Sequence, residues 1–343
     1  MRTSDFDYDL PPELIAQKPL AQRDDSRMMV VRRREKHIFH SQFRQLPAYV
    51  EKGDVLVLNN TKVIPTKVFG EKKGKEIEFL LLKEQETGVW EVLCRPARKV
   101  NKGDIIVFAP EFEGRVVEEG NGGKRLLRFS QKDILSRLKT IGFAPLPPYI
   151  KRPKKEDALQ RQDLERYQTV YAKKEGAIAA PTAGLHFTPF ILRQIQKKKV
   201  AIVEISLHVG LATFQPVRAD RPEGHRMLEE TFSISAAAAR AIRKARSESR
   251  SVLAVGTTVV RALESAFQEG QLMSGSRSTS LFIYPGHEFK FVDRLLTNFH
   301  LPRSTLLMMV SAFAGHDLIM KAYREAVKEK YRFYSYGDCM LIL

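Results

Sequence analysis

Short runs of apolar residues between positions 67 and 130 predict a small β-domain. Each run is rich in β-branched and aromatic side chains, and Gly, Asn or Glu residues separate it from the next. The predicted strands cover residues 67–69, 76–82, 89–93, 104–108, 114–117 and 125–129. Their spacing is typical of a small antiparallel sandwich or barrel. One short helix is expected at 133–139, before a proline-rich stretch that interrupts regular structure.

Continuous apolar runs after position 172 predict strands that are buried on both faces. These runs cover residues 177–180, 200–207, 252–255 and 280–284. Helices are predicted between them, because Thr188 before a proline, Ser235 and Thr257 are typical residues at a helix start. The second of these helices should reach about residue 246 and the third residue 268. Strands that alternate with helices indicate an α/β sheet.

Two further apolar runs, at 28–33 and 55–58, are too few to form a domain alone. We therefore expect the N-terminal segment to join the C-terminal half of the chain. The predicted fold class is a mixed α/β main domain, residues 1–66 and 151–343, with a small antiparallel β-barrel inserted at 67–150. A chain of 343 residues is long enough for about two such domains.

The charge balance favours an anionic macromolecular partner. The chain has 57 Lys and Arg against 40 Asp and Glu, which gives a net charge of +17. Such an excess favours nucleic acid, although a solvated basic surface is the alternative. Two basic clusters supply the candidate RNA-binding residues Arg95, Arg98, Lys99, Lys151 and Arg152.

Several other classes of protein are not expected. No apolar run approaches the ~20 residues that span a bilayer, and the acidic N-terminus is unlike a signal peptide. Cys94 and Cys339 indicate neither a disulfide framework nor a zinc site. Nucleotide-binding glycine loops and metal-ligand motifs are absent from the sequence. We therefore expect a cytoplasmic protein without a metal and without a membrane partner.

A small-residue stretch containing Thr182, Gly184 and His186 separates one predicted strand from the helix that begins after Thr188. Ligands of open α/β sheets bind at such carboxyl ends of strands. Small residues let a ligand approach the backbone, and His186 can serve as donor, base or acid. A tight turn with a packed histidine is an equally good interpretation.

The stretch Gly256, Thr257 and Thr258 is the second turn from a strand into a helix. The free N–H groups at a helix start and the helix dipole favour an anion. Arg261 follows one turn later and could pair with a carboxylate or phosphate. The alternative is a helix cap followed by a surface arginine.

Three more polar stretches resemble these two. His208 follows another predicted strand, and polar–aromatic segments near the C-terminus contain Asn298, His300, Tyr336 and Asp338. Aromatic rings beside Asn and Asp could stack on a purine and hydrogen-bond its edge. A role at the edge of the core is equally possible for each of them.

Together these stretches resemble the S-adenosylmethionine:tRNA ribosyltransferase-isomerase family of the queuosine pathway. The resembling segments follow in the same order along nearly the whole chain. They are residues 6–11, 22–27, 53–65, 90–99, 167–188, 208–217, 255–265, 282–315 and 331–338. The resemblance implies an α/β domain with an inserted β-barrel, as the apolar pattern also predicts.

The resemblance implies a tRNA-modifying transferase. Its partners would be S-adenosylmethionine and a tRNA with an aminomethyl-deazaguanine base at the wobble position. The ribosyl unit is transferred and isomerised onto that base to give epoxyqueuosine, and adenine and methionine leave. S-adenosylmethionine is then a consumed substrate, no cofactor is needed, and we expect a monomer. The rival interpretations are a non-catalytic RNA-binding protein and an S-adenosylmethionine-dependent RNA methyltransferase.

The implied route needs a base for the carbon next to the sulfonium and an acid for the departing adenine. His186 and His208 are the expected proton carriers. Leu228 stands where histidine is common in the family, so Glu230 close by is the third candidate. The other departures from the family pattern are Asn60, Ala212 and Val259, where aspartate, glycine and serine are common.

Overall fold

The computed structural model describes residues 1–152, 157–210, 217 and 219–343. Its strands are β1 (Arg27–Arg32), β2 (His37–Gln42), β3 (Val55–Asn59), β4 (Thr61–Val63), β5 (Lys67–Lys72), β6 (Lys75–Glu86), β7 (Val89–Arg95), β8 (Ile105–Ala109), β9 (Phe112–Glu119), β10 (Lys124–Phe129), β11 (Lys174–Ala177), β12 (Ala201–Leu207), β13 (Glu230–Ile234), β14 (Val252–Val255), β15 (Phe267–Gln268), β16 (Gln271–Leu272), β17 (Gly275–Thr279), β18 (Arg294–Asn298) and β19 (Cys339–Ile342). Its α-helices are α1 (Ile134–Ile141), α2 (Asp157–Arg166), α3 (Pro189–Lys197), α4 (Ala236–Ser247), α5 (Thr257–Ser265), α6 (Thr305–Ala314) and α7 (His316–Lys328).

A nine-stranded sheet organises the main part of the chain, in the order β17-β13-β12-β3-β14-β18-β19-β1-β2. Strands β12, β3, β14 and β18 run parallel to one another. Strand β19 is antiparallel to β18 and parallel to β1. The carboxyl ends of the four parallel strands therefore share one edge with the starts of β1, β13 and β19. The pairing of N-terminal with C-terminal strands confirms the mixed α/β architecture.

Both faces of this sheet are buried, as the continuous apolar runs predict. Along β3, Val55 and Val57 face one core together with residues of α4 to α7, while Leu56 and Leu58 face a second core with residues of α3. This alternation follows from the two-residue period of a strand. Each such buried side chain stabilises the fold by roughly 1.5–3 kcal/mol.

Strands β5 to β10 form a closed antiparallel barrel in the order β10-β7-β6-β5-β8-β9. Along β6, Ile77, Phe79 and Leu81 are buried inside it. Gly70 on β5 is required by a close approach, because a Cβ there would lie 2.4 Å from Ile106. The predicted barrel is thus confirmed, while the domain boundaries at 66/67 and 150/151 stay predictions.

Three predicted elements differ from the observed ones. The run 280–284 is not a strand, and β17 ends at Thr279, whose hydroxyl accepts the N–H of Leu281 at 3.0 Å. The run 177–180 pairs as a strand only at Ala177, since the next residue instead donates to the carbonyl of Val209. Helix α5 ends at Ser265, because β15 and β16 form a hairpin directly after it. No helix in the described part of the chain is long and apolar enough to cross a membrane.

Candidate active site

A cleft opens at the sheet edge where the parallel strands end. Its open space, including the mouth, measures about 650 Å³. Its walls come from the segment before α3, the start of α5, the end of β18 with the residues that follow, and the segment after α7. Six of the predicted substrate-binding residues line it, namely Thr182, Gly256, Thr257, Thr258, Asn298 and His300.

The start of α5 presents backbone N–H groups to this cleft. Gly256 precedes the helix with φ of 90°, a conformation that favours glycine, and no side chain caps the helix there. Because the first N–H groups of a helix have no acceptor within it, they can bind an anion along the helix dipole. The turn at Thr257 and Thr258 is therefore suited to a carboxylate or a phosphate.

Arg261 is not part of the cleft lining. Its guanidinium is buried, forms an ion pair with Glu230 and donates through Nε to the carbonyl of Leu281 at 3.1 Å. The Glu230 carboxylate also accepts the N–H of Gly210 at 3.0 Å. The guanidinium already bonds Glu230 and Leu281, and the structure does not bring Arg261 to the predicted anion site. The contact with a ligand carboxylate stays a prediction that this geometry does not favour.

His186 lies beside the cleft and hydrogen-bonds one of its residues. Its Nδ1 is 2.7 Å from Ser26 Oγ, and its Nε2 is 3.3 Å from the amide nitrogen of Asn298. Because the amide nitrogen only donates, Nε2 accepts and the proton sits on Nδ1, which donates to Ser26. Burial lowers the pKa of His186 to about 3, and the charges of Arg332 and Arg23 act in the same direction. His186 is therefore neutral near neutral pH and orients Asn298.

Asn298 and His300 place polar groups in the cleft wall. The Asn298 amide donates to the carbonyl of Tyr334 at 2.9 Å, while its Oδ1 has no hydrogen-bond partner in the described part of the chain. A buried acceptor of this kind is normally paired, so a donor on a ligand would satisfy it. His300 Nε2 lies 2.8 Å from Thr297 Oγ1, and burial lowers its pKa to about 3.

His208 occupies a different environment. It is half-buried, its Nδ1 lies 3.0 Å from Thr61 Oγ1, and it packs against Gly176. Burial, and then the charge of Lys174, lower the pKa of His208. It lines neither the cleft nor a smaller neighbouring pocket whose wall includes His186. The structure therefore does not bring the two histidines together.

Gly184 and Asp338 support the site from outside the cleft. A Cβ on Gly184 would lie 2.0 Å from the hydroxyl of Tyr171, so only glycine fits against that ring. The Asp338 carboxylate accepts the backbone N–H groups of Arg27 at 2.9 Å and Arg332 at 2.8 Å. The structure gives both residues a packing or hydrogen-bonding role, and their contact with substrate stays a prediction.

Arg152 and Tyr336 share one buried carboxylate. Arg152 binds Asp163 through two hydrogen bonds of 2.6 and 2.9 Å, and the Tyr336 hydroxyl donates to the same carboxylate at 3.0 Å. The ion pair between Arg152 and Asp163 joins the residues after the barrel to α2. The guanidinium of Arg152 is thus engaged within the protein, unlike the cation of a phosphate-binding residue.

The other predicted RNA-binding residues are exposed. Arg95 ends β7, Arg98 and Lys99 lie in the turn that follows, and Lys151 lies after the proline-rich stretch. Their exposure is compatible with contacts to a phosphate backbone, and their role stays a prediction.

Several cleft residues are not among the predicted site residues, including Tyr149, Thr297, Tyr334 and Ser335. The Tyr149 hydroxyl lies 2.7 Å from Ser335 Oγ, and its ring centroid lies 4.6 Å from that of Tyr334. The polar–aromatic character of residues 334–338 indicated this segment. It could not show which side chains enter the cleft, because the segment is a series of turns without a strand period.

The departures from the family pattern that the structure describes do not line the cleft. Leu228 is 58% exposed and Val259 is buried in the core. Asn60 is buried, donates to Glu204 at 3.1 Å and accepts from Ser206 at 2.7 Å. Ala212 lies outside the described residues.

Neither cysteine adds an evident reactive group, since Cys94 and Cys339 are both buried and unpaired. Within residues 1–152, 157–210, 217 and 219–343, no group of three or more His, Cys, Asp or Glu side chains is placed to hold a metal ion.

Comparisons with known proteins cover the whole chain. A family model described as "Queuosine biosynthesis protein" matches residues 3–342. The S-adenosylmethionine:tRNA ribosyltransferase-isomerases of Halothermothrix orenii and Thermotoga maritima are each 49% identical to this chain, over 348 and 344 aligned residues and all of both chains. A crystal structure of S-adenosylmethionine tRNA ribosyltransferase from Thermotoga maritima superposes with a TM-score of 0.56. That superposition covers 99% of this chain and 100% of the other, with 40% identity.

Proposed function

This chain belongs to the queuosine biosynthesis protein family, and we propose that it is an S-adenosylmethionine:tRNA ribosyltransferase-isomerase. The observation that carries the proposal is the match to enzymes of this name at 49% identity over the full length of both chains. The enzyme is a transferase that modifies tRNA. It moves the ribosyl unit of S-adenosylmethionine onto the aminomethyl-deazaguanine base at the wobble position, isomerises it, and releases adenine and methionine.

The cleft offers a group for each part of S-adenosylmethionine. The start of α5 at Thr257 and Thr258 suits the methionine carboxylate. The rings of Tyr149 and Tyr334 in the wall suit the sulfonium cation or the adenine ring. The unpaired Oδ1 of Asn298 accepts a hydrogen bond from a ribose hydroxyl or an exocyclic amine.

The catalytic roles of His186, His208 and Glu230 remain part of the proposal. His186 is the first to test, because it hydrogen-bonds Asn298, a side chain of the cleft. With a pKa of about 3, His186 is a weak base in the free protein. Its expected contribution is therefore to hold the Asn298 amide in one orientation while the substrate reacts.

Product analysis tests the proposed function directly. Purified protein is incubated with S-adenosylmethionine and a tRNA that carries the aminomethyl base. The matched control is the same tRNA with guanine at that position. We expect adenine and methionine in equal amounts, and a heavier base in the RNA, with the modified tRNA only. S-adenosylhomocysteine as product would indicate a methyltransferase, and RNA binding without turnover would indicate a non-catalytic RNA-binding protein.

Three further statements belong to the proposal. S-adenosylmethionine is consumed as a substrate and no separate cofactor takes part, so dialysis against a chelator leaves the rate unchanged. The enzyme acts in the cytoplasm, where its tRNA substrate is found. It acts as a monomer, which sedimentation at the assay concentration checks.

A further inference from the structure

A smaller pocket lies beside the cleft, and its wall contains two arginines. It encloses about 300 Å³, including its mouth, and Arg23, Arg166, His186 and Tyr336 contribute to its wall. Ser335 lines both this pocket and the cleft, so the two are neighbours. None of the described residues in the pocket wall is acidic.

The arginines around this pocket bind backbone carbonyls instead of carboxylates. Arg23 donates to the carbonyl of Leu185 at 3.1 Å, and Arg166 donates to that of Leu20 at 2.6 Å. Arg332 also binds a backbone carbonyl, and its charge together with that of Arg23 lowers the pKa of the neighbouring imidazole. Within the described part of the chain, none of the three forms an ion pair within 4.0 Å. From a greater distance, Asp338 acts to raise the pKa of Arg332 and Glu165 that of Arg23, against the larger effect of burial. The three positive charges are therefore only partly compensated.

Two of these guanidinium groups also carry unused donors. Arg166 Nε and Arg332 Nη1 are buried and have no hydrogen-bond partner among the described residues. Buried charged donors are costly when unpaired and are normally satisfied. Burial, and then the charge of Arg166, lower the pKa of Arg23, so the arginines disfavour one another. An anion in the pocket would offset the repulsion between Arg23 and Arg166, which both line it.

We propose that this arginine pocket binds a phosphate group of the acceptor tRNA. The inference rests on the proposed function. A phosphate has several acceptor oxygens in a tetrahedral arrangement, which suits guanidinium groups that approach from different residues. The methionine carboxylate has its own site at the start of α5.

The pocket lies beside the cleft, so a phosphate held there positions the neighbouring nucleotides at the reacting ribose. Phosphate contacts of this kind set the register of a nucleic acid without reading its bases. None of Arg23, Arg166 and Arg332 belongs to the basic clusters from which the RNA-binding residues were predicted. The pocket is thus a contact additional to those of the exposed clusters.

The test variant is Arg166→Gln, because glutamine keeps a polar side chain at this position but carries no charge. The control is Arg240→Gln, which removes one charge from an exposed position on α4. The probe is an anticodon stem-loop carrying the aminomethyl base. Its dissociation constant is measured at several salt concentrations. For Arg166→Gln we expect binding roughly tenfold weaker or more and a salt slope lower by about 0.7–0.9. Binding of S-adenosylmethionine should not change.

Inorganic phosphate provides a second probe that does not depend on RNA. Phosphate should raise the Tm of the wild-type protein and of Arg240→Gln above its value in chloride of equal ionic strength. It should not do so for Arg166→Gln. A phosphate effect combined with unchanged stem-loop binding would mean that the pocket holds a free anion, which overturns the assignment to tRNA.

If Arg166→Gln lowers the Tm in chloride, Arg166→Lys replaces it, because lysine keeps the charge. Lysine should then restore most of the stem-loop affinity, and equal loss in both variants would overturn the proposal. Wild-type affinity and salt slope in a folded Arg166→Gln would overturn it as well. The same preparations are assayed for adenine release. No product from the wild-type protein contradicts the proposed function, whereas product together with unchanged RNA binding contradicts only the phosphate site.

Discussion

Replacing Arg261 by methionine tests whether its ion pair with Glu230 is structural. Both side chains are only 4% exposed, so they are shielded from solvent. Removing one partner of a buried ion pair destabilises a protein by about 3–5 kcal/mol, because the other charge stays buried without it. For a chain of 343 residues, the usual unfolding entropy converts this loss into a decrease in Tm of about 4–7 °C.

Calorimetry and urea unfolding measure this effect, and a double-mutant cycle isolates the pair. The cycle compares Arg261→Met, Glu230→Leu and the double variant. Two apolar side chains of similar volume often replace a buried ion pair without loss. The double variant should therefore be more stable than the sum of the single changes predicts, by about 2 kcal/mol or more.

Kinetics decide between this interpretation and a ligand-binding role for Arg261. At a temperature well below its Tm, the Arg261→Met protein should keep its KM for S-adenosylmethionine within about threefold of the wild-type value. A loss of stability below about 1 kcal/mol, combined with a tenfold rise in KM, would contradict a structural role for Arg261. Arg261 would then bind the methionine carboxylate, as the helix spacing predicts.

Three further changes test the site. His300 has a pKa of about 3 in the folded protein and about 6.5 when unfolded, so only the unfolded state takes up this proton as the pH falls from 7 to 5. This proton uptake should lower the free energy of unfolding by roughly 2 kcal/mol between pH 7 and pH 5. In His300→Gln, urea unfolding should show a decrease that is smaller by this amount. Gly256→Ala should destabilise the protein by about 1–3 kcal/mol and raise the KM for S-adenosylmethionine, because alanine disfavours φ of 90°. Lys151→Glu should weaken stem-loop binding at low salt, whereas Arg152→Gln should lower the Tm with little change in RNA affinity, because Arg152 binds the buried Asp163.

Each of these expectations has a contrary outcome. An unchanged pH dependence in His300→Gln would show that this imidazole takes up its proton equally well in the folded and the unfolded protein. A fully stable Gly256→Ala would show that the start of α5 accommodates a side chain without strain. Loss of RNA affinity in a fully stable Arg152→Gln would show that its guanidinium leaves Asp163 to bind phosphate.

The amino-acid sequence determined the features that depend on near neighbours. The β-texture of residues 67–130 and the apolar runs at 200–207 and 252–255 correspond to strands, because burial and a two-residue period are properties of the local chain. Thr188 and Ser235 cap α3 and α4 as their positions predict, accepting N–H groups three residues ahead at 3.3 and 3.1 Å. The gathering of polar stretches at one sheet edge follows from the parallel order of the strands.

The partners of the site residues were decided only by the tertiary structure. Arg261 pairs with Glu230, 31 residues away, and His186 bonds Ser26, 160 residues away. Helical spacing placed Arg261 one turn from the start of α5. It could not show that β13 would bring a carboxylate to the other side of that helix. Contacts of this kind depend on how distant elements pack, and local periodicity and capping carry no information about that packing.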